Sequence, residues 1–356
     1  MQYGIAKHRL LLTVKIIKHP YLLRLKSYKS YVSRKWYRYC LLLGISFTLL
    51  YSTPVYAQEL YPLSEPASTL PKGVIGVRLF SETYKEVNQW RNMTYLRLMY
   101  GLGSKISVYA TGIASNHHGK TFPSEFPFHN TPERGAHYPY KFNGIHLYAK
   151  YRFWSLDAPK KHWRMAAYAE GTYVNTTHHE TESSLDMGDN KGIGAGIIAT
   201  YLHHKFATSL TTGIILPFSQ KGITPDAVAS LDPVPLHIAY GNALQYSLSF
   251  GYLLLPKAYK SYQQLNLNLY LELKGKAYQT ASVDLYVGLP NEYHLSSVRY
   301  PSALQKGAYL DISPGIQFII NSDWRVDAAV TFNAIGTSYA RLYPVYSIAI
   351  QKYFYR

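Results

Sequence analysis

Residues 265–274 read LNLNLYLELK, and this strict two-residue alternation limits the fold more than any other feature of the chain. Successive side chains of a β-strand point to opposite faces. Leu265, Leu267, Leu269, Leu271 and Leu273 therefore share one face, while Asn266, Asn268, Tyr270, Glu272 and Lys274 share the other. The pattern returns where Ile145, Leu147, Ala149, Tyr151 and Phe153 oppose His146, Tyr148, Lys150 and Arg152. It returns again where Val326, Ala328, Val330 and Phe332 oppose Arg325, Asp327, Thr331 and Asn333. Twelve such segments are expected, near 73–83, 93–101, 105–115, 143–153, 163–173, 191–202, 205–216, 239–254, 263–274, 307–320, 324–334 and 344–354.

A leucine face opposite a polar face suits either a soluble sandwich or a barrel in lipid, and composition separates the two. Charged residues make up 16% of the chain, against about 25% in soluble domains. Tyrosine is abundant, 36 residues against 13 Phe and 5 Trp. Beyond the N-terminal segment no apolar run approaches the roughly 20 residues of a membrane helix. Closed barrels are the other way to satisfy every backbone group in lipid. Connections support this. From the second segment onward, short links (102–104, 154–162, 203–204, 255–262, 321–323) alternate with long ones (116–142, 174–190, 217–238, 275–306). Short periplasmic turns and long outer loops are the expected asymmetry of bacterial outer-membrane barrels. The fold class expected is an all-β, transmembrane, antiparallel barrel of about twelve strands over residues 73–356.

Residues 34–57, RKWYRYCLLLGISFTLLYSTPVYA, give the order of a signal peptide: basic, apolar, then Val55-Tyr56-Ala57 before Gln58. The competing reading is an uncleaved anchor, for which an apolar run of about 12 residues is short. Residues 1–57 are thus read as a signal peptide with a long basic n-region. A translation start nearer Arg34 is an alternative to Met1. This segment holds ten of the Lys and Arg residues and no acid, so the formal +17 falls to +7 without it. A nucleic-acid partner loses its main support with that change. Cys40 lies in the same segment, which leaves the mature chain without thiols for disulfides or metal. Residues 58–72, carrying Pro62, Pro66 and Pro71, read as an extended periplasmic lead-in.

Few residues suggest chemistry. The pairs His117-His118, His178-His179 and His203-His204 fall in loops or turns and read as solvated histidines. Glu180, Glu182, Asp186 and Asp189 share one loop, but their spacing does not match a calcium loop. No metal site and no cofactor are expected. Inward-facing His146 and the strand-end Ser115 lack any motif joining them as base and nucleophile, so an enzyme is not the reading. Gly192, Gly194 and Gly196 on one face read as relief of crowding or as permitting barrel bending, rather than as a phosphate loop.

The lumen face carries more information. His146, Tyr148, Lys150, Arg152, Glu170, Asn266, Asn268, Tyr270, Glu272, Asp311, Arg325 and Asp327 are the expected pore-lining residues. Their mixed charges are expected to pair across a narrow interior, either closing it or forming a selective constriction.

The hairpin from Leu96 to Val108, LRLMYGLGSKISV, resembles the strand–turn–strand of outer-membrane transporters linked to phenol meta-cleavage, with Gly103-Ser104-Lys105 in the turn. The whole mature chain, with loops such as HNTPERG at 129–135, is also similar to outer-membrane barrels common in the Bacteroidetes. That resemblance implies passive transport of small solutes, apolar ones among them. The final strand, ending YFYR, resembles the signal read by barrel-assembly machinery, with Lys352 on its apolar face as a departure. The function expected is an outer-membrane channel or passive transporter in a Gram-negative bacterium. Its expected partners are outer-membrane lipid, the assembly machinery and a small-molecule solute. A surface barrel that presents loops for binding or adhesion is the alternative; an outer-membrane lipid hydrolase is the third.

Overall fold

A computed structural model describes residues 61–86, 89–116, 140–174, 183–223, 235–258, 261, 263–285, 304–339 and 341–355. The signal segment 1–57, the loop 129–135, His117-His118, His178-His179, Glu180 and Glu182 lie outside the described residues.

The alternating segments close into a ring. Its strands are β1 (Ile75–Glu86), β2 (Gln89–Gly101), β3 (Ile106–Ser115), β4 (Lys141–Ala158), β5 (Lys161–Val174), β6 (Gly192–His203) and β7 (Phe206–Pro217), then β10 (Ala243–Leu255), β11 (Asn266–Tyr278), β13 (Gly307–Ile320), β14 (Trp324–Gly336) and β15 (Val345–Phe354). Each pairs antiparallel with the next, and β1 pairs with β15 to complete a closed twelve-stranded barrel. Closure leaves no unpaired edge in the ring, which is what lets such a sheet sit in hydrocarbon.

Two long connections, expected as plain loops, also contain short strands. β8 (Gln220–Ile223), β9 (Pro235–Ala239) and β12 (Ser282–Leu285) form a separate three-stranded sheet. Segments of four or five residues carry too little alternation to be read from sequence. Beside this sheet Ile238, Tyr240, Ala281 and Leu304 form a small apolar cluster of their own.

Exposure decides which face meets lipid. Leu147 is 57% exposed, Leu210 53% and Ile348 60%, values incompatible with the core of a soluble sandwich. Leu265, Leu269 and Leu271 are likewise exposed, whereas Asn266, Asn268, Tyr270 and Glu272 are buried inside. Register keeps neighbouring strands in phase: Leu248, Phe250 and Tyr252 of β10 face Leu273, Leu271 and Leu269 of β11. Exposed Trp154, Trp163, Trp324 and Tyr355 lie near the short-turn end, and exposed Trp90, Tyr140, Tyr173 and Tyr346 near the long-loop end. An apolar belt between two aromatic girdles around a polar interior is the signature of an outer-membrane-type barrel. Lys352, out of place in the sequence pattern, stands at the short-turn end. Its Nζ donates to Asp323 Oδ2 at 2.7 Å and lies 4.5 Å from the Trp324 ring centroid. An ammonium can occupy that position because the charged head reaches the interface while its stem lies along apolar surface.

The lead-in differs from expectation. Residues 61–71 do not lie outside the ring; they cross its interior. Tyr61, Ala67 and Leu70 are buried, and Tyr61 packs edge-on against Tyr270 of β11 with centroids 5.7 Å apart. The prolines that make this segment extended also remove backbone donors. An extended strip with few donors of its own can lie among lumen side chains that supply both donors and acceptors.

Candidate functional site

The site is the barrel interior, built from the wall, the 61–71 plug and an inward-folded loop. The plug is held by side chains of the wall rather than by a sheet ladder. Arg325 Nη2 donates to Tyr61 O at 2.5 Å, and Arg78 Nη2 donates to Pro62 O at 2.5 Å. The Leu63 N–H donates to Glu272 Oε1 at 2.8 Å, while Ser64 Oγ donates to the other oxygen of Glu272 at 2.5 Å. Further along, the Ala67 N–H donates to Thr200 Oγ1 and the Leu70 N–H to Ser107 Oγ, both at 2.8 Å. Glu65 is the only charged side chain between residues 61 and 71. It accepts from Arg97 Nη1 at 2.6 Å and from Lys150 Nζ at 3.3 Å. Burial pushes the Glu65 carboxyl up, but Lys150, Arg97 and Arg78 outweigh it and hold the group below its ordinary range. The tie is therefore complete at neutral pH and lost only as pH falls through that lowered value.

Above the plug, the described part of the β5–β6 connection, residues 183–191, folds inward. Thr172 Oγ1 donates to Leu185 O at 2.9 Å, and Met187 packs with Met93, Tyr95 and Ile113. Asp186, in the acidic cluster considered for metal, instead faces two lysines of β11: Lys274 Nζ at 2.9 Å and Lys276 Nζ at 3.6 Å. Burial raises this carboxyl, yet Lys274, Lys276 and Arg341 together bring it well below the usual carboxylate range. Among the described residues no cluster of His, Cys, Asp and Glu could hold a metal ion.

Between plug and loop lies a cavity of about 170 Å³. Tyr148 and Tyr168 line one side of it and belong to a longer stack. Tyr109, Tyr148 and Tyr168, on the adjacent strands β3, β4 and β5, stack in series at 5.5 Å and 5.2 Å with interplanar angles of 12° and 16°. Offset stacks of this spacing suit the ring quadrupole. Tyr109 and Tyr148 sit directly opposite in register, whereas Tyr168 is paired with Lys150 and meets Tyr148 on the diagonal. The ladder needs space behind it, and glycines supply that. A Cβ at Gly213 would overlap the Tyr168 hydroxyl, and one at Gly196 would come within 2.6 Å of Tyr168 Cε1. The glycine row thus relieves crowding, as its strand-like spacing implied. Arg97 and Lys150 lie 5.7 Å and 5.5 Å from the Tyr109 ring centroid, within cation–π range.

Of the expected pore residues, His146, Tyr148, Glu170 and Asp311 line this cavity. His146 Nε2 hydrogen-bonds Glu170 Oε2 at 2.9 Å, and Gln245 Nε2 donates to Glu170 Oε1 at 2.6 Å. His146 is thus bound to an acid rather than aimed at Ser115, whose hydroxyl accepts from Asn143 Nδ2. Lys150, Asn266, Asn268, Tyr270, Glu272, Arg325 and Asp327 also point inward and are buried. They surround the plug or bond one another: Arg325 and Arg78 both pair with Asp327, at 2.8 Å and 3.1 Å.

Arg152 stands opposite the buried Ala166 of β5, on the inward series of β4. It sits at the short-turn end, where its Nη2 donates to Ser104 O at 2.9 Å. Strand β4 runs on to Ala158 after its last paired residue with β3, Tyr151, so position 152 stands at the short-turn rim and not beside the cavity. The charges were expected to pair across the interior. Several do so through the plug and the inward loop instead. Glu65, Arg78, Glu82, Arg97, Lys276 and Arg341 were not singled out from sequence; Arg78 and Glu82 alternate along β1, and Arg97 stands in the hairpin, so their facing was legible even though their partners were not.

No family model matches the chain, and no curated protein matches it. Among solved structures it is similar to an outer-membrane channel from Pseudomonas putida F1, with 13% identity and a TM-score of 0.49 over 83% of this chain and 100% of that one. It is similar to the Ralstonia pickettii toluene transporter TbuX at 12% identity and a TM-score of 0.33, over 80% of this chain and 90% of that one. It is also similar to the outer membrane phospholipase A of Escherichia coli at 10% identity and a TM-score of 0.34, over 84% and 96%.

Proposed function

We propose that this chain is a channel of the Gram-negative outer membrane that passes small solutes through the chamber between plug and inward loop. The observation that carries this reading is the way the lumen is filled. A barrel with only a structural role can pack its interior with side chains. Here two segments that are not part of the wall occupy it, held by hydrogen bonds and ion pairs, with a cavity of about 170 Å³ between them. The wall facing that cavity is polar and aromatic, which suits transient contact with a solute better than permanent closure. Liposomes carrying the purified protein should swell in small uncharged osmolytes such as glycerol. Flux no greater than that of empty liposomes, for the native protein and for one with its plug replaced, would remove the channel reading.

Export before Gln58 fits this arrangement, because it would leave the plug three residues from a free N-terminus. N-terminal sequencing of membrane-extracted protein should read Gln58 first; an intact 1–57 segment would contradict it.

The separate β8–β9–β12 sheet favours a second reading, a barrel that presents its outer loops to a binding partner. A small sheet with its own apolar cluster joins the described parts of two of those loops. Liposome flux separates this reading from the first.

A further inference from the structure

The plug carries one charge and places it on two wall cations beside a stack of aromatic rings. We propose that Arg97 and Lys150 form a carboxylate subsite which Glu65 occupies in this structure, and that aromatic carboxylates compete for it with their ring against Tyr148 and Tyr168. This inference rests on the channel reading and names the class of solute.

Three observations carry it. The first is that the contact is separable. Arg97 and Lys150 belong to β2 and β4, whereas Glu65 belongs to a segment whose described residues join no strand of the barrel. Arg97 is already set for an anion: its Nε donates to Thr111 Oγ1 at 3.2 Å, leaving Nη1 on the carboxylate at 2.6 Å. Lys150 Nζ also donates to Pro66 O of the plug at 2.7 Å, and its contact with the wall is the Tyr109 ring, 5.5 Å to the centroid.

The second is charge balance. Withdrawing Glu65 strips its carboxylate from a buried lysine and a partly buried arginine, and leaving such charges uncompensated is strongly unfavourable. A neutral solute cannot offset that loss. A solute carboxylate can, because it exchanges one anion for another without changing the charge of the site.

The third is shape. Tyr148 and Tyr168 line the cavity together with Glu65 and Arg97, so the edges of two stacked rings border the same space as the guanidinium. The cavity of about 170 Å³ is of the size that takes one aromatic ring, since a cavity of about 150 Å³ binds benzene. A ring set against those edges in a T-shaped contact would direct a carboxylate substituent toward Arg97. Inorganic phosphate shares the charge and lacks the ring; benzyl alcohol shares the ring and lacks the charge.

Binding of benzoate, benzyl alcohol and inorganic phosphate to the detergent-solubilised full chain, followed by ligand-observed NMR, tests the idea. Native protein should bind benzoate in preference to both controls. In Glu65→Gln the internal competitor is gone, and benzoate affinity should rise about tenfold, as expected when an occupied site is made available. Arg97→Gln should lose benzoate binding. Benzyl alcohol binding as tightly as benzoate would overturn the carboxylate assignment, and phosphate binding as tightly would overturn the aromatic one. Unchanged or weaker benzoate affinity in Glu65→Gln would show that Glu65 does not compete. The native comparison of the three compounds stands even if a variant fails to fold. Conductance is recorded separately, so a silent channel that still binds benzoate would count against transport and not against the subsite.

Discussion

Replacing residues 61–71 with a Gly/Ser linker of equal length should raise single-channel conductance in planar bilayers several-fold, without preventing assembly of the barrel. The plug makes its bonds to side chains on many different strands, among them Arg78 on β1, Lys150 on β4, Thr200 on β6, Glu272 on β11 and Arg325 on β14. None of these is a rung of the barrel ladder, which runs uninterrupted by the plug from β1 to β15 and back. Losing the plug therefore removes tertiary contacts while the backbone bonds that hold the wall stay in place. The polar side chains it uncovers become hydrated instead of stranded, because water enters the emptied lumen. Arg325 and Arg78 keep Asp327 as a partner. A folded, heat-modifiable barrel with unchanged conductance would mean that the plug does not obstruct the path.

Leu271→Arg should destabilise the barrel by about 2–4 kcal/mol, the cost of an arginine on the lipid face near the bilayer midplane. Leu271 is 38% exposed and lies next to the midpoint of β11, Asn266–Tyr278. Its cross-strand neighbours are Phe250 on one side and Pro314 on the other, so the charge would have no partner at that depth. Leu271→Ala, which removes apolar area and adds no charge, should cost much less. Urea unfolding of protein refolded into lipid vesicles measures both. An arginine tolerated as readily as alanine would mean that this face does not meet hydrocarbon.

The existence, facing and count of the barrel strands were legible in the sequence because each depends on a local property. Alternation along LNLNLYLELK sets which residues share a face whatever the neighbouring strand does. The apolar face, low charge and alternating loop lengths then leave a lipid-embedded barrel. The sequence also marked His146, Glu170, Glu272 and Asp327 as inward-facing for the same reason.

Tertiary structure decided which inward groups meet. The stack of Tyr109, Tyr148 and Tyr168 depends on the register of three strands and on the space left by Gly196 and Gly213 across the sheet. Arg152 followed the alternation correctly but stands at the short-turn rim, away from the cavity, because β4 outlasts β3 at that end. Residues 61–71 have no alternation to read, and a proline-spaced segment looks the same in the periplasm as in a barrel. Its place was fixed by donors and acceptors from strands more than 200 residues away, such as Glu272 and Arg325, and a linear pattern carries no record of partners at that separation.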